Sequence, residues 1–227
     1  MALRAVLFDF DGVLVNSEPL HHASLREALR PEGIDIDEQE YARSYLAYDD
    51  WEAVRIALER HGRRADEGRV EAIASRKAVL FEQMQASVPF FPGARELVER
   101  LARAFPLAIA SGARRKEIET ILAAAGLLSA FGAIVGADDV RSTKPHPEPY
   151  LTAMARLNES APGLTPPECL VIEDSMAGIL SGLLAGMRVL AVAHSYAIEK
   201  LAKAHRVVPS LEGLTVEQLQ SLFVEQR

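Results

Sequence analysis

The feature that most limits how this chain can fold is a rhythm of short apolar runs alternating with segments of helical spacing. The runs are Leu3 to Phe10, Leu107 to Ala110, Ala133 to Val135, Leu170 to Ile172, Val189 to Val192 and Arg206 to Val208. Each is short enough for a strand buried on both faces, and several end in polar or acidic residues and glycine. Between them, Pro92-Gly93 opens a segment with Leu97, Val98 and Leu101 on one face. Arg114 to Ala125 carries Ile118, Ile121 and Leu122, and Gly126 stops it as a C-terminal cap does. Further helices are expected from Pro147 to Leu157 and from Ser175 to Ala185. Strands alternating with helices imply right-handed crossovers, and so an α/β fold with a doubly wound parallel sheet.

Residues 17–87 break that rhythm. They hold four helical stretches and no convincing strand: Pro19 to Leu29, Glu38 to Tyr45, Trp51 to Arg60 and Glu67 to Met84. Leu20, Ala23, Ala28, Val54, Leu58, Val70, Ile73, Val79 and Leu80 are the expected core of this helical module. The chain therefore divides into an α/β core domain over 1–16 and 88–227 and an inserted all-helical domain over 17–87, joined through short stretches near Val15 to Ser17 and Ser87 to Phe91.

Composition narrows the function. With 49% apolar residues a sizeable core is assured, and a net charge of −7 argues against a nucleic-acid or anionic-membrane surface. No window approaches the ~18 apolar residues of a membrane span. The opening MALRAVLFDFDG lacks the longer apolar run and cleavage site of a signal peptide, so a cytoplasmic setting is expected. The single cysteine, Cys169, excludes an internal disulfide and a multi-cysteine zinc site, and reads as a buried thiol. Composition does not fix oligomeric state; a monomer or small homo-oligomer is expected.

In an open parallel sheet, ligands sit beyond the carboxyl ends of the strands. Four clusters fall there: Asp9 and Asp11, then Ser111 and Gly112, then Lys144, then Glu173 and Asp174. With Phe10 turned into the core, Asp9 is placed to act as a nucleophile and Asp11 as the acid that protonates a leaving oxygen. Solvated carboxylates on an Asp-Gly turn also fit that segment. Glu173 and Asp174 follow an apolar run, where two acids are costly unless a cation or hydrogen bonds satisfy them. With Asp9 they offer hard oxygen ligands suited to magnesium; equally, Asp174 or Ser175 caps the next helix. Ser111 and Gly112 can cradle phosphoryl oxygens or serve as an N-cap. Lys144, stiffened by the prolines of STKPHPEP, can pair with Asp9 and a phosphoryl group, or be an ordinary surface lysine. His194, Ser195 and Tyr196 read as site rim or as surface.

Taken together, DFDGVLVNSE, IASG, STKPHPEPY and VIEDSMAGI resemble, in order and separation, the four motifs of the haloacid dehalogenase-like superfamily, over essentially the whole chain. The resemblance implies a Rossmann-like core with a helical cap inserted after the first motif. It implies that Asp9 is nucleophile and magnesium ligand, and that Asp11 is the general acid/base, with its backbone carbonyl also on the metal. Ser111, Gly112 and Lys144 would hold the phosphoryl group; Asp174 would bind magnesium directly and Glu173 directly or through water. The subfamilies the chain resembles include the β-phosphoglucomutase-like, the phosphoglycolate phosphatase-like and related sugar-phosphate phosphatases.

Within the cap, the same resemblance singles out His21, in SEPLHHASL, and Lys77, in ASRKAVLF, as substrate-contacting positions; both also suit surface or helix-packing roles. Trp51 falls where β-phosphoglucomutase-like proteins carry an arginine for a second phosphate. A mutase grips a bisphosphate at both ends, so tryptophan there favours hydrolysis. The expected function is a magnesium-dependent phosphatase acting on a small phosphorylated metabolite, a sugar phosphate or phosphoglycolate-like acid, through an aspartyl-phosphate. A phosphosugar mutase is the alternative, and a phosphonatase using Lys77 as a Schiff base is a more distant one. A dehalogenase would not need Asp11.

Overall fold

A computed structural model describes residues 2–46 and 48–224. Six strands form one sheet: β1 (Ala5–Phe8), β2 (Leu107–Ala110), β3 (Ala133–Val135), β4 (Cys169–Glu173), β5 (Arg188–Val192) and β6 (Arg206–Val208). Their order is β3-β2-β1-β4-β5-β6, and every pairing is parallel. The chain steps outward from β1 to β3, then returns to the other side of β1 and steps outward again. The switch point of this doubly wound sheet thus lies between β1 and β4, the place where such sheets open a crevice.

The strands read as continuous apolar runs because both of their faces are buried. One face presents Ala5, Leu7, Ala108, Ala110, Val171 and Val189 to a cluster shared with Tyr150, Ala153, Leu157 and Ile179. The alternate residues, Val6, Phe8, Ile109, Ile172 and Leu190, are equally buried.

Residues up to Asn16 together with those from Pro89 onward form one compact unit, and Ser17–Val88 form a second. In the second unit lie α1 (Glu18–Leu29), α2 (Glu38–Ser44), α3 (Asp50–Arg60) and α4 (Glu67–Met84). Asp37, Asp49 and Asp66 start the last three by accepting the backbone N–H of Glu40, Glu52 and Arg69 at 2.7, 2.9 and 3.1 Å. The core of this unit is built from Leu25, Ala28 and Leu29 of α1, Val54, Ala57 and Leu58 of α3, and Val70 and Ile73 of α4. Val79 differs from expectation: it is 54% exposed, whereas Leu80 packs against the core as expected. The buried face of this helix runs Val70, Ile73, Lys77 and Phe81, and Val79, nine residues on from Val70 at about 100° per residue, points to the opposite side.

The remaining helices belong to the first unit: α5 (Ala94–Ala102), α6 (Arg115–Ala124), α7 (Glu148–Ser160), α8 (Met176–Leu184) and α9 (Val216–Gln220). No helix among the described residues is long and apolar enough to cross a membrane.

One ionic knot fixes the loops beyond β2 and β3. Asp139, in the short 3-10 helix Ala137–Asp139, accepts from Arg115 Nε at 2.9 Å, Arg156 at 2.8 Å and Gly136 N at 2.9 Å. Arg115 N donates to Asp138 at 2.9 Å and Ala137 N to Ala113 O at 2.9 Å. Together these tie the start of α6 to the end of β3 and to α7. A Cβ on Gly136 would lie 2.3 Å from Arg115 N, so only glycine fits this crossing. Burial pushes the Asp139 pKa up, but the hydrogen bonds from Arg156, Arg115 and Gly136 outweigh it and hold the carboxyl below its usual range.

Asp139→Ala removes the shared acceptor of two partly exposed guanidinium groups, and hydrogen bonds to charged groups are worth ~1.5–3 kcal/mol each. At neutral pH the variant should lose about 2–3 kcal/mol, lowering Tm by roughly 5–10 °C. A depressed pKa means that the contribution is complete above the ordinary carboxylate range and is lost as pH falls below it. The Tm gap between wild type and variant should therefore narrow in acid, as measured by thermal unfolding against pH.

Candidate active site

Asp9 leaves β1 at the switch point. Its backbone N–H donates to Ile172 O at 2.9 Å, continuing the β1–β4 ladder by one step, and its carboxylate is buried. Phe10 is wholly buried. The chain then turns sharply: Gly12 N donates to Val15 O at 2.9 Å, and the N–H groups of Leu14 and Val15 donate to Phe10 O. Gly12 has φ +80°, and a Cβ there would stand 2.0 Å from Asp174 Oδ2. Glycine is required both by the left-handed backbone and by the close approach of the Asp174 carboxylate. Half-buried Asp11 lies between this turn and Asp9.

Glu173 ends β4, fully buried. Its Oε1 accepts from Lys144 Nζ at 2.6 Å and Tyr150 OH at 2.9 Å. Its Oε2 accepts from Asp174 N, Ser175 N and Ser175 Oγ at 2.9, 3.0 and 3.0 Å. Ser175, not Asp174, caps α8, accepting from Gly178 N at 3.0 Å. The α8 turn presses on the carboxylate so closely that a Cβ on Gly178 would fall 1.6 Å from Glu173 Oε1.

Lys144 projects from the loop between β3 and α7. Its Nζ donates to Asp9 Oδ1 at 2.7 Å as well as to Glu173, and lies 4.9 Å from the Tyr150 ring centre. The loop is held from both ends: Glu148 accepts from Arg141 N and Ser142 N at 2.9 and 3.0 Å, and Ser181 Oγ donates to His146 O at 2.7 Å.

Lys144 is thus far from an ordinary surface lysine. Ser111 and Gly112 lie at the same sheet edge, beyond β2, whose Ile109 pairs with Phe8. Ser111 is no N-cap: α6 begins only at Arg115, and Ser111 Oγ instead accepts from Ala113 N at 3.1 Å. No protein atom would lie within 4 Å of a Cβ on Gly112.

The charges explain one another. Burial pushes the Lys144 pKa down, but Asp9 and Glu173 overcome it and hold the ammonium charged. Burial likewise pushes Glu173 up, and Lys144, Ser175 and Tyr150 outweigh it, keeping it ionised. For Asp9, burial wins: with Glu173 and Asp174 close by, its pKa rises well above the usual carboxylate range despite Lys144. Asp174 is pushed up to about 6, by burial first and Glu173 next, against the hydrogen bond from Ser195. With all three carboxylates ionised, as a bound cation would keep them, one ammonium would leave the cluster two negative charges in excess. Oxygen atoms of Asp9, Glu173 and Asp174 lie within 4.8 Å of one another, so the donor set and the charge both fit a hard divalent cation. The five donors on Glu173 fill the roughly four lone-pair sites of a carboxylate. That leaves Asp9 and Asp174 as the better cation ligands.

In the helical unit, Lys77 is 2% exposed, and its Nζ donates to His21 Nδ1 at 2.7 Å and Asp50 Oδ1 at 2.6 Å. The His21 ring stacks on Phe81 at 4.4 Å. Burial, then Lys77, pushes the His21 pKa down to about 4, so the ring is neutral at physiological pH. His21 and Lys77 therefore form one cluster, with Asp50 as a partner that sequence reasoning missed. Trp51 is separate from that cluster's bonds and 42% exposed. Asp49 caps α3, which moves the helix start from Trp51 to Asp50; an Asp-Asp pair before a helix was the available signal. Tyr150, which donates to Glu173, was also missed because it lies in another segment and reads as a plain helix residue; Ser175 was foreseen as a cap but not as a donor to Glu173.

A buried carboxylate and lysine at the switch point of a doubly wound sheet, with an acidic pair on the neighbouring strand, define an enzyme of the haloacid dehalogenase type. The chain belongs to the haloacid dehalogenase-like hydrolase family, whose sequence profile matches residues 6–192. It is 29% identical to protein CbbY of Rhodobacter capsulatus, over 98% of this chain and 100% of that protein. It is 32% identical to hexitol phosphatase A of Escherichia coli K12, over 95% of each. The crystal structure of β-phosphoglucomutase from Clostridium difficile is similar at a TM-score of 0.73 and 26% identity, covering 97% of both chains.

The Gly178 contact yields a test. Gly178→Ala forces Glu173 to move, and overpacking of this kind typically costs ~1–3 kcal/mol. Gly68→Ala, in the first turn of α4, would meet its nearest atom at 3.8 Å and should be neutral or stabilising. Urea unfolding of both variants beside wild type measures the difference.

Proposed function

We propose that this protein is a magnesium-dependent phosphatase that hydrolyses a small phosphorylated metabolite through an aspartyl-phosphate on Asp9. The observation that carries the reading is the buried Lys144 ammonium held between Asp9 and Glu173 at 2.7 and 2.6 Å. It stands beside the nucleophile, where negative charge on a transferring phosphoryl group must be met. Asp9 and Asp174 would hold magnesium, with Glu173 acting through Lys144 and the α8 turn. When bound, the ion supplies positive charge that keeps Asp9 ionised and offsets the phosphoryl oxygens.

In the first half-reaction Asp9 attacks phosphorus, the ester P–O bond breaks, and Asp11 gives its proton to the leaving oxygen. In the second, Asp11 takes a proton from water as that water attacks the aspartyl-phosphate, and inorganic phosphate departs. Lys144 stays charged throughout and orients Asp9. Ser111 and Gly112 would supply further contacts to the phosphoryl oxygens.

The helical unit supports hydrolysis over mutase chemistry. Its only lysine, Lys77, is bonded to Asp50 and His21, and Trp51 carries no charge, so neither provides a cation for a second phosphate. The ion pair also disfavours a phosphonatase, since Schiff-base formation needs a neutral amine. Similarity to hexitol phosphatase A supports a sugar- or polyol-phosphate substrate; the β-phosphoglucomutase likeness keeps the mutase as the competing reading. We further propose a cap role for residues 17–87, and a cytoplasmic protein acting as a monomer or small homo-oligomer.

A panel of phosphorylated sugars, polyols and small acids, assayed for phosphate release, tests the reading. Magnesium should activate, and a chelator and Asp9→Asn should each abolish turnover. Asp11→Asn should slow release of the leaving alcohol from alkyl phosphates by ~10²–10⁴-fold, while an aryl phosphate, whose leaving oxygen needs no proton, should still release its phenol in a stoichiometric burst before slowed hydrolysis of the aspartyl-phosphate limits turnover. Full turnover by Asp9→Asn would overturn the mechanism. Conversion of β-glucose 1-phosphate to glucose 6-phosphate without phosphate release, followed by phosphorus NMR with a trace of the 1,6-bisphosphate, would restore the mutase.

A further inference from the structure

His194 and Ser195 follow β5, and no step above uses them. They flank a close contact between the first and fourth motif segments. At that contact the Cα of Gly12 lies against the Asp174 carboxylate, where a Cβ would stand 2.0 Å from Oδ2 and 2.5 Å from Cγ. A Cα–H against an oxygen is a weak tie, so something stronger must set this spacing. Ser195 Oγ donates to Asp174 Oδ2, the same oxygen that faces Gly12. His194 Nδ1 lies 2.9 Å from Gly12 O. A carbonyl can only accept, so Nδ1 carries the proton and donates it.

His194 also grips the far end of the same turn. Its ring stacks on Phe91, with centres 3.9 Å apart and planes 16° from parallel. Phe91 N donates in turn to Leu14 O at 2.9 Å, and Val15 pairs with Phe90 across an antiparallel bridge. The arm that carries the two residues is stiff: Val189 to Val192 are wholly buried, and Ala193 N donates to Val208 O at 2.9 Å.

The geometry points to His194 and Ser195 as positioning residues that set the distance between the Asp11 turn and Asp174. Ser195 selects the Asp174 orientation, occupying Oδ2 and leaving Oδ1 to face a cation. His194 holds the Gly12–Val15 turn, and with it Asp11, against that carboxylate. The inference rests on the phosphatase reading for the roles of Asp11 and Asp174; the bonds themselves do not.

Calorimetric titration of metal-free protein with magnesium tests it apart from turnover. Partners behind metal ligands typically contribute ~10–100-fold to affinity or activity. Ser195→Ala should therefore weaken magnesium binding about tenfold or more, and Ser195→Thr, which keeps a hydroxyl, should recover most of it. His194→Phe keeps the stack on Phe91 and loses the donor. It should weaken magnesium binding and lower kcat on alkyl phosphates about tenfold with KM little changed. His194→Asn, whose amide can reach Gly12 O, should restore both. Wild-type magnesium affinity in Ser195→Ala or His194→Phe overturns the assignment of that residue, as does failure of the Thr or Asn variant to rescue a well-folded protein. Wild-type protein that binds no magnesium sinks the metal-bearing reading itself, and wild-type binding without phosphate release sinks only the reaction.

Discussion

The buried ion cluster of Asp9, Lys144 and Glu173 is the constraint around which the rest of this structure is arranged. Charges removed from water cost several kcal/mol each unless partners meet them. Every partner here comes from a different part of the chain: Asp9 from β1, Lys144 from the β3–α7 loop, Glu173 from β4, Tyr150 from α7 and Ser175 from the start of α8. Such a cluster cannot be satisfied piecemeal. It forms only when the doubly wound sheet has brought β1 beside β4 and the β3–α7 loop has folded back over both.

The same cluster explains where the backbone tolerates no side chain. Gly12 and Gly178 sit on either side of the acidic pair, and a methyl group at either would enter a carboxylate. The sheet therefore does more than place strands side by side. It brings two turns into contact with two acids so closely that their sequence is restricted to glycine. The Asp139 knot does comparable work farther out, holding the Ser111 loop to β3 and α7 through two arginines.

The electrostatics are deliberately unfinished on the protein's side. One ammonium opposes three carboxylates; burial first, and their mutual repulsion next, raise the pKa values of Asp9 and Asp174, while Glu173 is kept ionised by its own ring of donors. A divalent cation would offset that excess of carboxylates, and on the proposed reading it would share one balance of charge with Asp9. In the helical unit the balance is closed instead: Lys77 is met by Asp50 and His21 within the same unit.

Much of this was legible in the sequence because strands buried on both faces must be runs of apolar residues, and the polar residues that end them must gather at one edge of the sheet. That reasoning reached Asp9, Asp11, Ser111, Lys144, Glu173 and Asp174, and it separated the helical insertion from the sheet. It failed where a residue's role depends on what another segment brings. Tyr150 lies within a plain helical segment, Asp50 reads as part of a helix start, and His194 and Ser195 read equally as site rim or as surface; Val79 was placed in a core although it lies on the opposite face of its helix from Val70. Local pattern thus determined which residues are buried and which end the strands, since hydrophobic periodicity is a property of the chain alone. Tertiary structure decided which buried polar atoms meet, because a hydrogen bond across 135 residues, such as that from Lys144 to Asp9, leaves no trace in local spacing.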